Sequence, residues 1–177
     1  SWAHRSAGQH AGGQARELTH DENDRPIIDE MRLLTAKPVL FVANVHEKDL
    51  PKGNKYSDAV QKWANEHGAG CVIISGKIES EIALLPREER ATFLEGLGLM
   101  QSGLDNLINA GYKLLGLRTY FTAGVKEVRA WTIHAGDSAP VAAGKIHSDF
   151  QRGFIAAEVI AFKDFDQYEG ELEAKSA

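Results

Sequence analysis

Cysteine is almost missing from this chain of 177 residues. Cys71 stands alone, so neither an internal disulfide framework nor a multi-cysteine zinc site can be built. Aromatic residues are sparse at 8%, and no apolar run approaches the ~20 residues that span a bilayer. The N-terminus carries no charged-then-apolar signal pattern. Positive charge is not in excess either. A formal net charge of −5 argues against coating nucleic acid by bulk charge, while leaving room for a local basic patch. These absences lead us to expect a soluble cytoplasmic protein with no membrane and no disulfide partner. What is present is globular in kind: 43% hydrophobic and 25% charged residues, close to the average for folded domains.

Residues 1–24 hold one Trp, one Leu and otherwise small or polar side chains, too little apolar surface to offset the entropy of ordering them. Asp24 and Pro26 suit a helix start, and Ile27, Ile28, Met31 and Leu34 continue at helical spacing until Lys37-Pro38. Residues 39–43 (VLFVA) and 71–74 (CVII) are short continuous apolar runs, the pattern of parallel strands covered on both faces. Between them Tyr56, Ala59, Val60, Trp63 and Ala64 mark a helix face that closes at His67-Gly68. This is βαβ grammar and belongs to an α/β architecture.

Beyond it, two short helical patterns break at Pro86, and Ser102 with Asp105 forms a capping signal for a helix through Leu115. After Gly116 the pattern changes to α+β. Strands are expected over 117–122, 125–133 and 154–162, with a helix over 140–148 between the last two.

In open α/β sheets, ligands bind outside the carboxyl ends of the strands. Asn44-Val45-His46-Glu47 follows the first strand and Ser75-Gly76-Lys77 follows the second. One offers an amide and a carboxylate, the other a small turn with backbone amides and a lysine stem. Together they could grip a planar heterocycle, or they could simply end two strands; the pattern alone leaves both readings open.

A strand ending in Asn-x-x-acid, a helix, and a strand ending in Ser-small-Lys resembles the base-reading half of a P-loop GTPase-type domain. In the ordinary motif, Asn-Lys-x-Asp, the aspartate accepts hydrogen bonds from the guanine ring N–H and amino group. Here the acid is Glu47 and the lysine position is Val45. One added methylene disturbs the guanine fork, and adenine offers an acceptor where guanine has its ring N–H. That change resembles the YchF / Obg-like ATPase family. So do LLTAKPVLFVANVHE, ISGKIESE and FLEGLGL in the first part, and LRTYFTAG, VRAWTI and AGKIHSDFQRGFIAAEVI in the second. Gly76 departs from the pattern, which has alanine there, and His46 is a variable position.

The resemblance implies an α/β fold: the C-terminal part of a P-loop NTPase parallel sheet (two strands with helices), followed by an incomplete α+β β-grasp (TGS-like) domain. Residues 1–26 would be a loose segment, 27–116 the nucleotide-binding portion and 117–177 the truncated TGS-like domain. It further implies an ATP-preferring, Mg2+-dependent P-loop nucleotidase associated with ribosomes or RNA, with GTP as a second nucleotide. Asn44, Val45 and Glu47 would surround the base, with Ser75, Gly76 and Lys77 beside it.

The phosphate chemistry of such a family needs Gly-x-x-x-x-Gly-Lys-Ser/Thr, whose backbone amides cradle phosphates and whose hydroxyl holds Mg2+. Gly76-Lys77 and Gly144-Lys145 are both followed by isoleucine, and no such loop occurs in the 177 residues. The chain therefore reads as a piece of a longer protein that does not hydrolyse nucleotide by itself, with no residue assigned a catalytic or metal-ligating role. The seven histidines are scattered and suit solvated or capping positions. Arg118, Lys126, Arg129, Lys145 and Arg152 interleave with Tyr120, Phe121, Trp131, Phe150 and Phe154, a composition that can bind RNA through phosphate contacts and stacking. The alternative function is accordingly a non-catalytic TGS-type module that binds RNA or the ribosome.

Overall fold

The computed structural model describes residues 25–124 and 126–168, with Ala15 and Gly170 besides. Asp24, nearly all of the loose N-terminal segment and nearly all of the acidic stretch 169–177 lie outside the described residues. The chain divides into two compact units, the first ending at Gly116 and the second beginning at Leu117.

From Arg25 onward the first unit runs through α1 (Arg25–Met31), a 3-10 turn over Leu34–Ala36, and β1 (Leu40–Asn44). A second 3-10 turn (Glu47–Asp49) leads to α2 (Lys55–Glu66), then β2 (Gly70–Ile74), α3 (Gly76–Leu84), α4 (Arg87–Gly96) and α5 (Gly103–Leu114). β1 and β2 pair in parallel, Leu40 opposite Gly70 and Asn44 opposite Ile74, so both strands end at the same level. That shared end is what places the two polar loops side by side.

The caps explain where the helices begin. The Asn54 side chain accepts from the Tyr56 and Ser57 amides, while Ser57 Oγ accepts from the Asn54 amide at 2.7 Å, a reciprocal capping box. Gly53 before it sits at φ +85°, and a Cβ there would collide with Ser57 Oγ, so only glycine closes this turn. Ser102 caps α5 through the Asp105 amide, as its sequence signal predicts. Leu85, at φ −78° and ψ 143°, takes the extended backbone that the following proline imposes, and this separates α3 from α4.

Coverage of the strands is thinner than continuous apolar runs predict. α2 and α5 both pack against the pair, yet β2 is only half-buried along its length and Val42 of β1 is 44% exposed. The stripe of α2 facing the strands keeps Ala64 from the expected set but otherwise differs from it. Ser57 and Ala64 are the buried residues, whereas Tyr56 is 71% exposed and Trp63 is 40% exposed. Trp63 instead meets Phe41 edge-on at 5.3 Å and stacks on His67 at 3.9 Å, sealing the flank of the helix rather than its floor.

The second unit starts with an antiparallel hairpin, β3 (Leu117–Ala123) and β4 (Val128–His134), with Tyr120 opposite Trp131. Val125 lies outside the described residues, and β4 starts at Val128 rather than 125. α6 (Ala139–Ile146) and α7 (Ser148–Arg152) follow, separated by His147, whose extended backbone ends one helix and whose Nδ1 caps the next by accepting from the Asp149 amide. The strand expected over 154–162 does not form. Residues 154–161 take no regular structure and Phe162 opens α8 (Phe162–Gln167). A strand needs a ladder partner, and 154–161 pairs with neither strand of the hairpin. Ile155 accordingly stands 96% exposed.

The α/β class expected from the sequence is the one observed, and among the described residues no helix is long and apolar enough to cross a membrane. The well-buried apolar side chains of the first unit include Ile78 and Ile82, one turn apart on α3. Ile78→Ala should therefore cost about 2–4 kcal/mol, and Leu84→Ala on the same helix, 87% exposed, less than ~0.5 kcal/mol. Urea unfolding followed at the β1 and β2 amide signals measures both; equal costs would contradict this packing.

Candidate functional site at the strand ends

The ladder continues one residue past β1, because the Val45 amide donates to Ile74 O at 2.8 Å. Immediately beyond, Asn44 Oδ1 accepts from the Gly76 amide at 2.9 Å, tying the end of β1 to the first residue of α3. Gly76 has room to spare: a Cβ there would lie 3.5 Å from Asn44 Oδ1, an ordinary contact. Alanine would fit, so glycine's departure from the family pattern does not disturb the tie.

With α3 started in this position, Lys77 Nζ reaches Glu47 Oε2 at 2.6 Å. This is a charge-assisted bond in a partly exposed setting, 62% for the lysine side chain and 34% for the glutamate. Glu81, one turn along α3, stands 4.0 Å from the same ammonium. The Glu47 carboxyl is held below the ordinary carboxylate range, chiefly by the Lys77 hydrogen bond, with its charge and that of His46 adding and burial opposing. Lys77 is raised in turn, first by the hydrogen bond to Glu47 and then by its charge. His46 contributes locally as a cap, its Nδ1 accepting from the Lys48 amide at 3.3 Å.

Of the six residues expected around a base, Asn44, Glu47, Gly76 and Lys77 are drawn into one connected set. Val45 is held by the ladder beside them. Ser75 is not on the open side: it is 1% exposed, and its carbonyl accepts from the Glu79 amide. Sequence reasoning missed Glu79 itself, whose carboxylate Oε1 accepts from the Gly103 amide at 2.8 Å. Its only signal was an acid in the first turn of a helix, which is too common to single out.

The five cations singled out in the second unit are distributed differently. Cross-strand pairing puts Arg118, Tyr120 and Thr122 on one face of the hairpin with Ile133, Trp131 and Arg129. That face carries α6, since Tyr120 Oη donates to Ala142 O at 2.8 Å. Burial raises the Tyr120 phenol. Arg129 lies over the Trp131 ring at 4.2 Å, and Trp131 Nε1 donates to Thr122 Oγ1. Phe121 points to the other face and leans on Phe162. Lys126 is in the turn between the strands, Lys145 on α6, and Arg152 on α7 is paired with Asp149 at 3.0 Å. The aromatics and cations thus do not share one uninterrupted sheet face.

Cys71, inside β2, has its thiol raised by burial and stays a small apolar side chain rather than a nucleophile.

A family model named YchF-GTPase_C, described as "Protein of unknown function (DUF933)", matches residues 117–177. Over 165 residues the chain is 50% identical to the "Ribosome-binding ATPase YchF" of Pasteurella multocida, covering 93% of this chain and 45% of that protein. It is 42% identical over 163 residues to "Obg-like ATPase 1" of Pongo abelii, covering 89% of this chain and 41% of that one. A solved structure, that of the Schizosaccharomyces pombe YchF GTPase, superposes with a TM-score of 0.78 at 35% identity, over 92% of this chain and 44% of the other. The chain belongs to the YchF / Obg-like ATPase family.

It spans about half the length of the curated YchF relatives it matches. Among the described residues no three of His, Cys, Asp and Glu gather around a common point that could hold the Mg2+ the family resemblance implies. At the strand ends the one carboxylate of the set is already engaged by an ammonium, a poor environment for a dication.

The pH dependence of the Glu47–Lys77 pair follows from the two directions. A depressed Glu47 adds stability above the unfolded carboxylate pKa and loses it as pH falls through the folded one. A raised Lys77 adds stability below the unfolded lysine pKa and loses it as pH rises through the folded one. Lys77→Met should accordingly move the Glu47 midpoint upward, measured at its carboxyl carbon by NMR. An unmoved midpoint would show that the pair does not form in solution.

Proposed function

We propose that the first unit is the base-recognising portion of a P-loop nucleotide-binding domain and that its strand ends take a purine nucleotide, ATP in preference to GTP. The observation that carries this is the connected set of Asn44, Glu47, Gly76 and Lys77 outside the carboxyl ends of two parallel strands. A carboxylate gripped by a lysine presents an acceptor beside a donor, the complement of adenine's amino group beside a ring nitrogen. Guanine's ring N–H and amino group ask for both carboxylate oxygens, and Lys77 holds one of them. The lysine could instead meet the guanine carbonyl, so the preference is graded and GTP remains a second ligand. The relatives named as ATPases support ATP as a ligand, and the solved structure titled a GTPase agrees with GTP as a second.

With no phosphate-cradling glycine loop in its 177 residues, the chain binds without turning nucleotide over. Titration of 15N-labelled protein with ATP and with GTP tests the reading. ATP should shift the Val45, Glu47, Gly76 and Lys77 amides more strongly than GTP, with no phosphate released above a buffer control. Glu47→Asp should change the ratio of affinities in favour of GTP by about tenfold. Equal affinities in both proteins, or brisk Mg2+-dependent hydrolysis, would contradict it.

A second reading concerns residues 117–177, as a TGS-like module that binds the ribosome or RNA in the cytoplasm. Exposed Arg129 over Trp131 favours it, a guanidinium and ring presented together beside Arg118. Combined Arg129→Glu and Lys145→Glu should weaken co-sedimentation with ribosomes and flatten its salt dependence. Unchanged sedimentation would leave these cations as ordinary surface.

A further inference from the structure

The base site depends on where α3 begins, and Asn44 holds that helix from one side only. On the other side stands a contact that the nucleotide reading does not use. Glu79, in the first turn of α3 and half-buried, accepts through Oε1 from the amide of Gly103, the first residue of α5. The approach is close. A Cβ on Gly103 would stand 2.9 Å from Glu79 Oε1 and 3.0 Å from Ile74 Cγ2, so glycine is what lets α5 reach both the acid and the end of β2. Ser102, the cap of α5, is 6% exposed, and this junction is therefore part of the packed interior rather than a loose surface contact.

The first turn of α3 is thus bound at two points, Gly76 to Asn44 and Glu79 to Gly103. Lys77 lies between them on the same turn, and among the described residues its polar anchors are its carboxylate partners, Glu47 and the more distant Glu81. We propose that Glu79 is a positioning residue of the base site, holding the α3 turn on α5 so that Lys77 meets Glu47. The inference deepens the nucleotide reading and rests on it for its meaning. Its test needs no nucleotide, so the two can fail separately.

The sign of one measurement separates positioning from plain electrostatics. Removing a negative charge near Glu47 would make its carboxyl easier to ionise and lower its midpoint. Releasing Lys77 would do the opposite. In the 177-residue chain, Glu79→Ala should raise the Glu47 midpoint toward the value shown by Lys77→Met, read at the carboxyl carbon by NMR. Glu79→Gln, which loses the charge but keeps an oxygen for the Gly103 amide, should leave the midpoint at or slightly below the wild-type value. Gly103→Ala should reproduce the rise with Glu79 intact, and it serves as the second variant if Glu79→Ala folds poorly. A midpoint in Glu79→Ala or Gly103→Ala that stays at or falls below wild type overturns the proposal. So does a rise in Glu79→Gln equal to that in Glu79→Ala, because the hydrogen bond would then not be the cause.

Discussion

The hydrogen bond from the Gly76 amide to Asn44 Oδ1 is the contact on which the first unit's polar geometry turns. Parallel pairing brings β1 and β2 to the same level, but it says nothing about how the chain leaves β2. The Asn44 amide supplies that instruction. It catches the first residue of α3 as the strand ends, satisfies a helix N-terminal amide that would otherwise need water, and starts the helix over the strand tips. Lys77 then falls one residue further on, within reach of Glu47. Without the tie, a glycine at the head of a helix would fray, and a surface ion pair alone contributes too little to hold it.

The second unit is governed by a different constraint. Its hairpin is two strands wide, and a two-stranded sheet stays ordered only when something covers a face. α6 does so through Tyr120, whose hydroxyl donates to the Ala142 carbonyl, while the Trp131 ring nitrogen donates across the hairpin to Thr122. These bonds let two amphipathic aromatics be half-buried without stranding a polar atom. The same arrangement turns Phe121 to the opposite face and so splits the aromatic set.

Local signals were legible in the amino-acid order. Ser102 announces its helix because capping needs only neighbours, and Pro86 separates two helices because it forces Leu85 into extended backbone. The apolar runs at 39–43 and 71–74 mark strands because few other structures tolerate such density. Coverage was not legible: an apolar run predicts that burial is wanted, not how much of it two helices can provide, and Val42 remains exposed. The failed strand at 154–161 is the same lesson in another form, since ladder formation depends on a partner far along the chain. Tyr56 and Trp63 have helical spacing, yet the small residues Ser57 and Ala64 let α2 approach the strands and so decide its buried stripe. At the site, residue types at the strand ends could be named in advance. That Asn44 serves as a tie, and that Glu79 anchors the same turn from behind, required the fold.

The most direct test is the response of 15N-labelled chain to ATP with and without the Asn44 side chain. The account predicts that ATP shifts the Val45, Glu47, Gly76 and Lys77 amides in the native protein. In Asn44→Ala those shifts should vanish while the β3 and β4 amides stay where they were. An Asn44→Ala protein that responds to ATP as the native one does would contradict it.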